Sequence, residues 1–332
     1  MASRSRIGRM RWLQAMLMGL VLILMLSACG QGASPGTNDT GDQAQEQIQE
    51  QDRVVVDGMG HEVKVPANPE RVLASYLEDH LVALGVTPVA QWSVHTTSTQ
   101  DYLKDALGDV PLIDSKLPPE QVASFQPDLI IVESAASVEK GLYEQYSAIA
   151  PTYVLSEEET ADWRKAFLKA GELLNKKTEA EQRLVEYDRK LQGAKEKIHA
   201  AIGDESAIVL WVTEKNVYMV DPGRSSGTVL YQDLGITKPN LAQELESTGA
   251  NWMPVSLEKL AELDADHIFL VNSEGAGTAE ALKRSIWLSL PAVKEGHVYT
   301  MPKERSWLYS GIIANEGIVD DVLQSLGVDA TN

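Results

Sequence analysis

The stretches EQVASFQPDLIIV, residues 120–132, and EKLAELDADHIFLV, residues 258–271, decide the fold. Each runs from an amphipathic helical turn through an acidic hinge into an apolar strand, and Glu120 and Asp128 stand eight residues apart, as do Glu258 and Asp266. Upstream of them, HLVALGVTP at 80–88 and LYQDLGITKP at 230–239 are helix ends stopped by Gly85 and Gly235. The same unit is written twice. A duplicated α/β lobe leaves a groove between its copies, and grooves of that kind hold ligands, so the repeat points to capture before any catalytic residue is sought.

Working outward, residues 53–66 alternate apolar and polar side chains on both sides of an Asp57-Gly58 turn, a hairpin pattern. Strands at 71–75, 88–91, 129–132 and 151–155 alternate with helices that end at Gly85 or span 119–125 and 143–149, which predicts a mostly parallel sheet covered on both faces. Residues 157–202 hold no Pro and little Gly. Trp163 to Leu174 reads as one helix, and Thr178 opens a second with a Thr-x-x-Glu capping box that runs to about His199. At ~1.5 Å per residue the second is on the order of 30 Å long, enough to run from one lobe to the other. Its apolar positions Leu184, Tyr187, Leu191 and Ile198 do not sustain coiled-coil heptads. A second lobe follows: a strand at 207–213 paired with 217–220, a helix from Thr228 to Leu234, the repeated unit, a last strand at 296–301 and a closing helix at 312–326. The expected class is α/β, two Rossmann-like lobes joined by a single long helix. The expected divisions are 1–28, 29–52, 53–177 for the first lobe, 178–204 for the linking helix and 205–332 for the second lobe.

The first 28 residues carry Arg4, Arg6, Arg9 and Arg11, then an apolar run from Trp12 to Leu26, then small residues before Cys29. This is the pattern of a secretory signal, and the run falls short of the ~18–20 residues of a membrane span. Cys29, the single cysteine of the chain, stands where a bacterial lipoprotein is acylated, and no intramolecular disulfide is available. Gly, Gln, Ser, Asn, Asp and Glu dominate from Gly30 to about Asp52 and offer little to bury, so that stretch reads as a tether. The expected location is the extracytoplasmic face of the cell membrane, with a lipid on Cys29 as the anchor. The chain has 29 basic and 48 acidic residues; without the four signal arginines 25 stand against 48, a net charge of −23. Such a surface repels nucleic acid, which is excluded as a partner.

Several phrases together resemble the substrate-binding lipoproteins of iron–siderophore and vitamin B12 ABC importers. They are the Cys29 lipobox, LGVTPV at 84–89, QPDLII at 126–131, the long helix between lobes, and LPAVKEGHVY at 290–299. The likeness covers Arg53 to Gly327. It implies the class III periplasmic-binding-protein fold, a monomer, a chelated-iron ligand in the interlobe groove, and ABC permease subunits as partners, with ATP hydrolysed elsewhere. DPGRSSGTVLYQ at 221–232, GANW at 249–252 and SWLY at 306–309 look like the hydroxamate-siderophore receptors of Gram-positive bacteria, in which an Arg of a Gly-rich loop and cleft aromatics hold the ferric complex. This chain is one residue longer in that loop. The resemblance also implies acidic tips that meet the permease; Glu78 or Asp79 matches in the first lobe, whereas the second-lobe position falls near Thr228.

Arg224 is therefore the leading ligand-binding candidate: it precedes a helix, glycines flank it, and its guanidinium suits the oxygens around a chelated metal. The alternative is an Arg paired with a carboxylate. Trp92, Trp252, Trp307 and Tyr309 fall at predicted strand ends or loops where rigid rings could line a cleft. His95 and Lys116 lie in first-lobe loops on the groove side. Few basic residues fall near the cleft loops, which favours a charge-neutral ferric hydroxamate over catecholate; citrate, haem and a corrinoid are the other ligand readings. The six histidines are scattered, so direct metal binding by the protein and a resident cofactor are not expected. No P-loop is present. GRSSG at 223–227 does match a nucleophile elbow, and a hydrolase would use Ser225 with Asp264 or Asp266 and His297. No Gly-rich oxyanion loop accompanies it in the first lobe, so no catalytic residue is expected.

Overall fold

The computed structural model describes residues 51–244, 250–272 and 280–328. The expected signal segment, Cys29 and nearly all of the tether lie outside the described residues.

The first hairpin forms as its alternation predicts: β1 (Arg53–Val56) pairs antiparallel with β2 (Glu62–Val65). Asp57 Oδ1 accepts the backbone N–H groups of Met59 at 2.9 Å and His61 at 2.8 Å, which closes the turn. Next come β3 (Val72–Leu73), β4 (Gln91–Ser93), β5 (Leu112–Asp114), β6 (Leu129–Val132) and β7 (Thr152–Val154). β3, β6 and β7 are parallel neighbours in that order, and β4 and β5 form a second parallel pair. A 2.9 Å bond from the Val89 N–H to the Val72 carbonyl holds the chain entering β4 beside β3. In the second lobe β8 (Ala207–Val212), β9 (Val217–Val220), β10 (Trp252–Val255), β11 (His267–Asn272) and β12 (Val298–Met301) make one sheet ordered β10-β9-β8-β11-β12. β8, β11 and β12 are mutually parallel, β9 runs against them, and the edge strand β10, antiparallel to β9, runs with them again.

The period of two in these strands sends alternate side chains into different cores. Val72, Leu129, Ile131 and Tyr153 face one core, and Leu73, Ile130, Val132 and Val154 face another with Val122 and Tyr146. Ala207, Val209, Phe269 and Val271 of the second lobe enter the same first core, while Ile208, Leu210, Ile268 and Leu270 pack a third with Leu260 and Trp287. The β3-β6-β7 sheet and the five-stranded sheet thus each have one private core and one face in a core common to both.

The long helix Lys177–Ile202 runs through that common core, burying Ala180, Tyr187, Leu191, Ala194 and Ile198 at three-, four- and seven-residue steps. Its 26 residues make it ~39 Å long. Thr178 does not cap it: the helix begins earlier because Asn175, at φ 57°, turns the chain directly out of the helix Trp163–Leu173. A capping box forms instead at Ser156 and Glu159. Gly171 lets the two helices meet closely, since a Cβ there would lie 2.6 Å from Ala180 Cβ. The final helix, Ile312–Ser325, packs on the long helix and on the short helix Glu78–Ala83.

The written repeat is also a repeated contact. Asp128 accepts the backbone N–H groups of Glu70 and Arg71 at 2.8 and 3.0 Å, just ahead of β3. Asp266 accepts the backbone N–H and hydroxyl of Ser206 at 2.7 and 2.8 Å, just ahead of β8. In both copies the hinge aspartate opens one strand and pins the start of its parallel neighbour.

Candidate functional site

Parallel strands bring their C-terminal ends to one edge of a sheet, where loops can surround a ligand. Here both sheets direct that edge at a single cleft of about 940 Å³. Tyr76 follows β3, Val94 follows β4, Lys116 follows β5, Glu133 follows β6, and Lys303 and Arg305 follow β12.

Two aromatic groups form the walls. Tyr76 meets Trp92 edge to face at 5.0 Å between centroids, and Tyr309 lies 6.1 Å from Tyr76. Opposite them, Trp211 stacks on Tyr218 at 5.0 Å and meets Trp252 at 4.9 Å. The second group follows from register: Trp211 is paired across the strands with Tyr218, and Trp252 stands two residues from Tyr218's other partner, Pro254, so all three share a sheet face. Lys116, Lys303 and Arg305 bring positive charge to the lining, against Asp101 and Glu133.

Below the cleft lies a chamber of about 70 Å³ that shares Tyr76, Glu133 and Asn251 with it. Arg224, Ser225, His80 and Trp163 contribute to its wall. Burial pushes the Glu133 carboxyl up, and the positive charge of Arg224 works in the opposite direction.

Of the expected ligand residues, Trp92, Trp252, Tyr309 and Lys116 are brought together in the cleft, and Arg224 stands in the adjoining chamber. His95 does not join them. It sits exposed at the tip of a tight turn closed by the Val94–Ser98 bridge, with φ 52°, and its neighbours line the cleft instead. Trp307 is a core residue at 0% exposure, stacked on Phe269 at 4.9 Å, with its indole N–H donated to Asp321 Oδ2 at 2.8 Å.

The docking expectation for Glu78 and Asp79 is also corrected, because both are buried, at 0% and 1% exposure. Glu78 accepts the Trp92 backbone N–H at 2.6 Å, and Asp79 accepts those of Ile313 and Ala314. Thr228 is buried as well. These side chains set the cleft wall from behind and do not face a partner.

The hydrolase constellation is not assembled. Ser225 does have a strained φ of 45°, but its hydroxyl is 3.4 Å from the Leu308 carbonyl and from Ser310 Oγ. His297 precedes β12 at the far end of the sheet, 3.2 Å from the Asp266 carbonyl, while Asp264 holds Asn240. Among the described residues no three His, Cys, Asp or Glu side chains gather as a metal site. Sequence reasoning missed Tyr76, Glu133, Trp211, Asn251, Lys303 and Arg305. The signal that could have found Tyr76 and Glu133 is their position just past parallel strands.

A model of the periplasmic binding protein family matches residues 73–305. The iron(3+)-hydroxamate-binding protein FhuD of Bacillus subtilis is 28% identical over 95% of this chain and 97% of its own. The Fe(3+)-citrate-binding protein YfmC of the same organism is 29% identical over 93% of this chain and 96% of its own. Among solved structures, Staphylococcus aureus SirA complexed with staphyloferrin B superposes with a TM-score of 0.71 at 26% identity, covering 84% of this chain and all of that one.

Proposed function

The chain belongs to the periplasmic binding protein family, and from that premise we propose that it captures a ferric siderophore in the cleft between its lobes and presents it to an ABC permease. The observation that carries this reading is the cleft itself: about 940 Å³, with aromatic faces on both walls and Lys116, Lys303 and Arg305 among its lining. Rigid rings supply apolar contact area at little entropic cost, and cations meet the oxygens that surround chelated iron. The iron is substrate, held by its organic ligand and not by protein side chains. The names of the relatives support an iron chelate as the ligand class.

In this reading Tyr76, Trp92, Trp211, Trp252 and Tyr309 enclose the chelate and Lys116, Lys303 and Arg305 meet its polar rim. Arg224 reaches it from below. In this reading the lobes are 53–177 and 205–332, and the core that both share with the long helix keeps closure small. The protein performs no covalent chemistry. A lipid on Cys29 would hold it at the outer face of the membrane.

The hydroxamate preference rested on a scarcity of cations near the cleft. Lys116 and Lys303, with Arg305 shared with Asp321 at 3.5 Å, bring more positive charge to the lining than that scarcity allowed, so an anionic carboxylate chelate is a second ligand suited to the same walls. A titration followed by tryptophan fluorescence tests the reading: ferric hydroxamate or ferric carboxylate complexes quench in a saturable way, and bare ferric or zinc ions do not. Equal quenching by the bare ions would overturn it.

A further inference from the structure

One corner of the cleft suits a cation that the protein does not supply. Tyr76 meets Trp92 at 61° and Tyr309 at 55°, so the three rings stand at angles to one another and do not form a flat wall. An aromatic face attracts a cation within about 6 Å of its centre. Elsewhere the protein fills such positions itself: Arg164 lies over Trp163 and Tyr187, Lys169 over Tyr153, and Lys238 over Tyr231. Among the described residues no lysine or arginine covers Tyr76, Trp92 or Tyr309.

Two carboxyl groups line the same cleft, Asp101 and Glu133, and neither forms an ion pair among the described residues. Asp101 Oδ1 accepts the Thr99 hydroxyl at 2.9 Å. Glu133 is held through its backbone, whose carbonyl accepts the Thr160 hydroxyl at 2.7 Å, while its carboxyl accepts no hydrogen bond. Its oxygens are not among the atoms sealed without a partner, so they stay open to the cleft or to the chamber beneath it. The charge around the rings is negative. Burial pushes the Tyr76 phenol up, with Glu133 the largest charge acting the same way, and it pushes Tyr309 up to about 12, with Asp101 first among the charges. Burial pushes the Glu133 carboxyl up as well, the cost of a carboxylate held out of water, and Arg224 offsets this without pairing with it.

We propose that this corner receives a pendant ammonium of the chelate held in the cleft, a proposal that rests on the reading of the cleft as a chelate site. The ammonium meets a ring face and gives its N–H groups to Glu133 and Asp101. A chelate that lacks the ammonium still fills the cleft and leaves the corner to water.

The test compares ferrioxamine B, a ferric trihydroxamate with one pendant primary ammonium, with its N-acetyl derivative, which differs by the loss of that charge. Calorimetric titration of the full chain should show ferrioxamine B bound about tenfold more tightly than the acetylated form. In Asp101→Asn/Glu133→Gln, which keeps both side-chain shapes and leaves the chain strongly acidic, the preference should fall to about twofold or less, with binding of the acetylated form unchanged. Each single variant should show an intermediate preference. Equal affinity of the wild-type protein for the two forms, or an undiminished preference in the variants, overturns the ammonium site while the chelate reading stands. So does binding of ferric citrate or of ferrichrome, a charge-neutral ferric trihydroxamate, with no binding of ferrioxamine B. Binding of none of these chelates overturns both.

Discussion

Asp79 and Ala314, 235 residues apart in the chain, are joined by a 2.9 Å hydrogen bond from the Ala314 backbone N–H to Asp79 Oδ2. The Ile313 N–H is donated to Oδ1 of the same carboxylate at 3.1 Å, and the Tyr102 hydroxyl to Oδ2 at 3.1 Å. A side chain of the helix Glu78–Ala83 in the first lobe thus caps the first turn of the final helix, Ile312–Ser325. Tyr102 in turn lies 5.4 Å from Tyr309 on the cleft wall, which places the cap directly behind that wall.

Removing this cap should be costly for stability. Asp79→Ala forfeits a helix cap and leaves buried N–H groups unpaired, so a loss of about 2–3 kcal/mol is expected in urea denaturation. Gly311→Ala should do comparable damage from the other side, because Gly311 has φ 148° and a Cβ there would sit 2.2 Å from Asp79 Cγ. Wild-type stability in either variant would mean that the cap is not formed.

The contributions of Glu78 and Asp79 to stability should fall as pH rises from acid to mildly alkaline, whereas His80, which burial lowers from 6.5 to about 4, works the other way below about pH 6.5. Burial pushes the Glu78 carboxyl from 4.5 up to about 8 and that of Asp79 from 3.8 up to about 6. The folded chain then holds two protons that the unfolded chain releases, so their contribution is complete below about pH 4 and is lost as pH climbs through about 6 and then about 8. Glu78→Gln keeps an acceptor for the Trp92 N–H and removes the charge. At pH 9 it should be more stable than the parent by at least about 1.4 kcal/mol, the worth of one pKa unit, with no such gain at pH 4. Parallel pH profiles for the two proteins would refute this.

Trp307 and Trp92 should separate cleanly. Trp307→Ala empties a core position and removes the donor to Asp321, at a cost of about 3–5 kcal/mol. Trp92→Ala takes a ring from the cleft wall and should lower chelate affinity about tenfold, with a stability loss nearer 1 kcal/mol. Calorimetric titration and thermal unfolding of both variants check the contrast.

That contrast also marks how far the sequence could be read. The repeat was legible because the same apolar run and the same hinge aspartate recur, and Asp128 and Asp266 do the same work at the heads of β3 and β8. Strands β6 and β9 fall where their apolar runs place them, and so does the final helix, because each is bounded by turn or helix-stop residues. Burial within a loop was not legible. Trp307 and Tyr309 stand two residues apart in one irregular segment, and the Asp321 carboxylate that draws Trp307 inward comes from a later helix. Trp211 was hidden for a different reason: the run AIVLWV is apolar throughout, and only its pairing with Tyr218 shows which face opens to the cleft. The acidic pair Glu78 and Asp79 looked like surface charge because their backbone donors come from distant segments.

Charge on the cleft lining should matter for an anionic chelate more than for a neutral one. Lys303→Glu should weaken ferric citrate binding about tenfold at low salt and less at 0.5 M, where screening shortens the reach of the charge to a few ångströms. Ferrichrome binding should change little. An equal loss for both ligands would point to a disturbed fold.

Closure on binding should be slight, since the common core and the Asp79 cap tie the lobes together. Small-angle scattering with and without a saturating ferric chelate should show a contraction below about 1 Å in radius of gyration.

The central claim is a location: a chelated iron held between Trp92 on one wall and Trp252 on the other. The most direct measurement is an anomalous-difference map at the iron edge from crystals grown with a saturating ferric siderophore. The account predicts one strong iron peak in the interlobe cleft, with chelate atoms and no protein side chain in its coordination shell. A peak ligated by protein side chains, or one on the outer surface with the cleft empty, would contradict it.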